Sequence, residues 1–255
     1  MSQNIYYEKI GEKGPALFWG HGWGQSLQAF MPLINSLSNM GRHWAIDFPG
    51  FGQSPIPPDT WGTDDYADAT AAFIKSQTDE KIIWIGHSFG CRVGLQLAAR
   101  HPDLIAGLCL IAAAGLPRKR PLWHKIYYGA RIKLFKMLKK LIPMGLSKNW
   151  LYERFGSADY KSAGPLRQIF VKIVNEDLSD ISKTVNCPVL LIYGEHDSET
   201  PPEIGERLSR IIPHSKMILM DEFDHYSILS GAQHQVAHRI NQFLKEITSP
   251  HDRYN

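Results

Sequence analysis

The chain has 255 residues, 44% of them hydrophobic and 21% charged, long enough to bury a sizeable core and too ordinary in composition for a disordered or fibrous protein. Its net charge of +3 is too small to argue for nucleic acid, and no nucleic-acid motif accompanies it, so no such partner is expected. The start, MSQNIYYEKIGEKG, lacks a basic stretch followed by an apolar one, and the longest apolar run, Leu104 to Leu116, is too short to span a bilayer, which argues against export and membrane insertion.

Strand-length apolar runs alternate with stretches of helical period. Ala16 to Trp19 reads as a strand and is followed by GlyHisGlyTrpGly at 20 to 24. Trp44 to Ile46 is the next strand, and Asp64-Asp65 opens a helix running to Gln77. Ile82 to Ile85 leads directly into GHSFG at 86 to 90 and a helix from Phe89 to Arg100. Leu104 to Ile111, Pro188 to Tyr193 and Lys216 to Met220 continue the strands, with helices expected over Glu203 to Ile212 and Gln233 to Ile247. Runs apolar at successive positions fit strands covered on both faces, so the order predicts a doubly wound, mostly parallel α/β sheet flanked by helices.

Between Gly115 and about Asp180 the rhythm breaks into helical patches without a comparable strand. The expected organisation is therefore a core of residues 1–114 and 181–255 interrupted by a helical insertion at 115–180. Cys91, Cys109 and Cys187 fall in apolar runs without CxxC spacing, which suits buried thiols in a reducing compartment and places the chain in the cytoplasm.

Loops leaving the carboxyl ends of parallel strands share one edge, so residues distant in sequence converge there. A Gly-x-Ser-x-Gly pentapeptide arises easily by chance, but Ser88 stands between a strand and a helix, the setting of a sharp strand–turn–helix elbow. A serine hydroxyl needs a base to take its proton and a carboxylate to orient that base. His225, after the last strand and before the C-terminal helix, is the favoured base among eleven histidines; His196 lies on the same edge and His87 adjoins the serine. Asp197, in the loop after Tyr193, is the favoured acid, with Glu195 and Asp224 as rivals and an Asx turn before Pro201 as its purely structural alternative. For the oxyanion formed on attack, the backbone N–H groups of Phe89 and Trp23 are the candidate donors.

Serine, acid and histidine in that chain order, together with HisGlyTrpGly and AspPheProGlyPheGlyGlnSer at 47 to 54, resemble the α/β-hydrolase fold superfamily over nearly the whole chain. The resemblance implies a Ser88–Asp197–His225 triad with Trp23 and Phe89 in the oxyanion hole, no cofactor, and a lid formed by the insertion. It is closest to the compact carboxylesterase branch, and the serine argues against branches that use an aspartate nucleophile. Two departures stand out: Asp224 precedes the histidine where glycine is common, and Cys91 follows Gly90 where a second glycine is common.

The insertion carries a charge asymmetry. Nine of the 28 Lys and Arg residues lie between 118 and 140 with no acid among them, leaving 19 basic against 25 acidic residues elsewhere. A solvated helix face explains such a run, and so does an amphipathic lid whose rim attracts an acidic acyl chain, a coenzyme A thioester, an acidic carrier protein or an anionic membrane surface. The expected activity is hydrolysis of a carboxylic ester or thioester through an acyl-enzyme on Ser88. Its rivals are carbon–carbon bond hydrolysis with the same triad and a non-catalytic ligand- or partner-binding member of the fold.

Overall fold

A computed structural model describes residues 4–119, 130, 133, 134, 137 and 158–248. Seven strands form one sheet in the order β1-β3-β2-β4-β5-β6-β7: β1 Tyr7–Ile10, β2 Ala16–Gly20, β3 Arg42–Ile46, β4 Ile82–His87, β5 Ile105–Ile111, β6 Val189–Gly194 and β7 Ser215–Met220. All pair in parallel except β1, which runs antiparallel to β3.

The apolar runs form strands because each alternates its side chains between two cores. Phe18, Trp84, Leu108 and Leu110 face one side, where α2 (Thr63–Gln77), α3 (Phe89–Arg100) and α7 (Pro202–Ile211) cover them. Leu17, Trp19, Ile85 and Ile111 face the other, under α1 (Met31–Ser36) and α9 (Gln233–Thr248). The edge strand β7 is the exception to full burial, with Leu219 45% exposed.

Two elements escape the sequence patterns. β1 reads YEKI and alternates exposed and half-buried positions, because an edge strand covers only one face and so never builds an apolar run. α1 is six residues long, too short for a helical period to show. Among the described residues of 115–180 there is no strand; α4 (Ala158–Ser162), α5 (Arg167–Asn175) and α6 (Ser179–Ser182) lie at its end, α6 crossing the boundary expected at 180. The basic run at 118–140 falls almost entirely outside the described residues. Cys91 and Cys109 are buried thiols, whereas Cys187, just before β6, is only half-buried.

From β2 the chain passes outward to β3 and then returns to β4 on the opposite side. The crevice at their carboxyl ends is thus the switch point where open α/β sheets hold ligands. No helix among the described residues is long and apolar enough to cross a membrane, and no group of three or more metal-ligating side chains occurs among them.

Candidate active site

Ser88 stands at the end of β4, at that switch point, and is the N-cap of α3. Its backbone is held at φ 49°, ψ −102°, a left-handed conformation that an L-residue adopts only when its surroundings impose it. Two glycines make the turn possible. A Cβ on Gly86 would come within 2.6 Å of the Gly90 backbone, and one on Gly90 would overlap the Gly20 carbonyl oxygen. The elbow is tied down by Ser88 N–H to Ile111 O (3.1 Å) and Gly90 N–H to His21 O (3.1 Å), so the serine is braced against both neighbouring strands. The dipole of α3 puts its positive end at Ser88.

The loop after β2 is arranged around His21. The carboxyl end of β2 sets its ring in the core, where Nε2 accepts the Phe48 N–H (3.1 Å) and Nδ1–H donates to Gly22 O (2.7 Å). Burial, partly opposed by the Gly22 bond and the nearby Asp47 charge, pulls its pKa down to about 4 and keeps it neutral. Gln25 N–H also holds the Gly22 carbonyl (3.2 Å). A trans peptide points its C=O and N–H in opposite directions, so fixing the Gly22 carbonyl on this side turns the Trp23 N–H to the other. The Trp23 ring packs against Phe51, Phe89 and Phe170 at centroid distances of 4.9, 5.6 and 5.1 Å, which sets the loop against the start of α3.

The loop after β6 brings Asp197 to His225. His225 Nδ1–H donates to Asp197 Oδ2 (2.7 Å), which leaves Nε2 with its lone pair. Asp197 Oδ1 accepts the N–H groups of Glu199 (2.8 Å) and Thr200 (2.7 Å), so the residue forms an Asx-type turn and orients the histidine at once. Burial alone would raise its pKa, but the bond and charge of His225, helped by Thr200, hold the carboxyl below the ordinary value of 3.8. Thr200 Oγ1 lies 2.9 Å from Asp197 Oδ2, 3.1 Å from His225 Nδ1 and 3.0 Å from Ala112 O, linking the pair to the end of β5.

Of the rival acids, Glu195 is exposed, and its N–H donates to Met220 O. Asp224 is also exposed and caps the turn into α8 (Ser227–Ser230), accepting the Tyr226 and Ser227 N–H groups at 3.0 and 2.7 Å. His196 is exposed, and His87 is buried with Nε2–H donating to the His225 carbonyl (2.9 Å). Burial first, then the neighbouring His225 charge, lowers the His87 pKa to about 3.

Trp23, Ser88, Phe89, Arg92, Phe170 and His225 open onto one cavity of about 570 Å³. Ser88 makes no hydrogen bond with His225; such contacts commonly tighten when substrate binds. The cavity brings together a serine at positive φ and a carboxylate-oriented histidine, with Trp23 and Phe89 also lining it. Sequence reasoning missed Thr200, Arg92 and the anchoring part of His87. A histidine within GxSxG and a threonine before Pro201 were visible, but their partners lie 138 and 25 residues away along the chain.

A family model described as alpha/beta hydrolase fold matches residues 15–143, and one described as TAP-like protein matches 172–254. The chain is 29% identical over 228 residues to a pimeloyl-[acyl-carrier protein] methyl ester esterase of Neisseria meningitidis, covering 84% of this chain and 87% of that protein. Among solved structures, a thermophilic esterase from Thermogutta terrifontis superposes with a TM-score of 0.73 at 21% identity, covering 96% of this chain and 94% of that one. A meta-cleavage product hydrolase from Pseudomonas fluorescens superposes with a TM-score of 0.71 at 20% identity, covering 95% and 94%.

Proposed function

Because the chain belongs to the alpha/beta hydrolase fold family, we propose that it is a serine hydrolase that cleaves a carboxylic ester or thioester through an acyl-enzyme on Ser88. The observation that carries this reading is the hydrogen-bonded Asp197–His225 pair, whose histidine lines the same cavity as a serine held at positive φ. His225 Nε2 accepts the Ser88 proton as Oγ attacks the carbonyl carbon. The oxyanion that forms is met by the N–H groups of Phe89, at the start of α3, and Trp23, whose peptide carbonyl partner at Gly22 is held by His21. Imidazolium then returns the proton to the leaving alcohol or thiol, and a water deprotonated by His225 releases the acid.

Residues 115–180 serve as the lid over this site, since Asp159, Phe170, Ile173, Val174 and Glu176 line the cavity from that segment. The nine basic residues of 118–140 fit a substrate with anionic character, whether acid-bearing or carrier-linked, and the esterase of Neisseria meningitidis bears the name of a carrier-linked ester. The reaction suits a cytoplasmic enzyme, in keeping with three free thiols. Carbon–carbon hydrolysis uses the same triad, and the neighbouring meta-cleavage product hydrolase keeps it as the second reading.

The test is steady-state hydrolysis of p-nitrophenyl esters from acetate to laurate by wild type and by folded Ser88→Ala. Loss of turnover by about 10³-fold or more in the variant is expected. Tight ester binding without turnover in wild type points to a binding module instead, and turnover that survives without Ser88 removes the serine from the reaction.

A further inference from the structure

Every residue from Phe89 to Ala98 of α3 is buried, and one of them is an arginine. Arg92 is 9% exposed, one helical turn beyond Ser88 and therefore on nearly the same face of the helix. Burying a guanidinium is costly unless its charge and donors are matched. Here the matching is incomplete. Only one of its five N–H donors has an acceptor among the described residues, Nη1–H to Glu176 O at 3.2 Å, and no carboxylate lies within ion-pair distance. None of its remaining nitrogens is a walled-off orphan, since the described buried side-chain atoms without partners are Trp44 Nε1 and Asn241 Oδ1. Arg92 lines the same cavity as Ser88 and His225.

The charges of Glu176 and Asp177 reach Arg92, but the acids nearby have partners of their own. Glu176 gives its carboxylate to the N–H and hydroxyl of Thr63 at the start of α2, and Asp177 is exposed and bonded to Ser179. Glu199 pairs with Arg118 at 3.7 Å, and Asp159 sits within the electrostatic reach of Glu199 and His225. A guanidinium that lines the cavity with most of its donors unpaired among the described residues matches a carboxylate in shape and charge.

We propose that Arg92 is an anion subsite of the substrate pocket and that the preferred ester carries a second, free carboxylate, as the half-ester of a dicarboxylic acid does. The proposal rests on the serine-hydrolase reading and narrows its substrate class. It also gives the pocket a means of selection separate from the basic segment at 118–140, acting on the reacting part of the substrate.

The test uses matched pairs that differ only in replacing a terminal methyl group by carboxylate. Monomethyl adipate against methyl hexanoate places the charge on the acyl side, and 4-acetoxybutanoate against butyl acetate places it on the alcohol side. In wild type the acid is expected to exceed its neutral partner in kcat/KM by about 10- to 100-fold in one of the two pairs, the span of a hydrogen-bonded charge. In Arg92→Gln that ratio falls toward one. A purely structural arginine, bracing the Glu176 backbone, would lower both members of a pair alike and leave the ratio unchanged. A ratio near one in wild type for both pairs, or a preference that survives in Arg92→Gln, overturns the proposal. Absence of turnover with every ester overturns the hydrolase reading instead, and adipate binding by calorimetry then decides the subsite. Affinity at least about 10-fold weaker in folded Arg92→Gln upholds it, and equal affinity overturns it.

Discussion

Asp197→Asn isolates what the carboxylate contributes to the histidine. Oδ1 receives two backbone N–H groups, those of Glu199 at 2.8 Å and Thr200 at 2.7 Å. An asparagine there has one acceptor and one donor end, and turning its NH₂ toward those two N–H groups would leave both without partners. At about 1–3 kcal/mol for each unsatisfied buried group, the opposite orientation wins by about 2–6 kcal/mol. The NH₂ is then fixed against His225 Nδ1, where the carboxylate Oδ2 stood at 2.7 Å. His225 must accept a hydrogen bond at Nδ1, so its proton moves to Nε2, the nitrogen that should take a proton from Ser88. The second amide hydrogen has Thr200 Oγ1 as acceptor while that hydroxyl donates to Ala112 O, so the fold loses little. The expected result is a fall in kcat of about 10³–10⁴, or about 4–5.5 kcal/mol in the barrier, with little change in the urea midpoint. The assay is p-nitrophenyl butyrate hydrolysis beside equilibrium unfolding of the same preparations. A folded variant that keeps more than about a tenth of wild-type kcat would refute the tautomer reasoning.

Gly90→Ala places a Cβ on the Gly20 carbonyl oxygen, and because both sides of that contact are backbone neither can swing away. A loss of about 2–3 kcal/mol in chemical denaturation is expected, together with reduced turnover, since the strand that carries the His21 loop must shift. An unchanged midpoint would show that the elbow has room. The buried histidines make stability pH-dependent well above the range in which carboxylates titrate. His21 and His87 fall from the ordinary value of 6.5 to about 4 and about 3, chiefly through burial. Their folded pKa values lie below the unfolded one, so their contribution is complete above about pH 6.5. As pH falls through that value the unfolded chain takes up protons that the native state refuses, costing up to about 1.4 kcal/mol per pH unit for each histidine. Urea midpoints measured from pH 7 to 4 should decline from about pH 6.5 downward, and midpoints flat to pH 4.5 would contradict neutral burial of these rings.

The sequence alone determined the layered architecture, because buried parallel strands must be apolar on both faces and the helices between them must show an apolar stripe. Ile82–Ile85 followed by GHSFG and a helix over Phe89–Arg100 therefore placed a serine at a strand-to-helix turn, and the structure shows that helix over the same residues. Local chemistry could not go further. Glu195, Asp197 and Asp224 are equally acidic and lie on the same sheet edge, and only the turn after Gly194, with its two N–H groups on Oδ1, aims Asp197 inward while the others face solvent. His87 reaches the His225 carbonyl, Thr200 joins three strand ends, and Arg92 finds itself in a cavity walled by residues from 159 to 176. None of these pairings has a sequence period. They arise where parallel strands end side by side, so which side chains meet is decided by register and loop path, which are properties of the whole sheet.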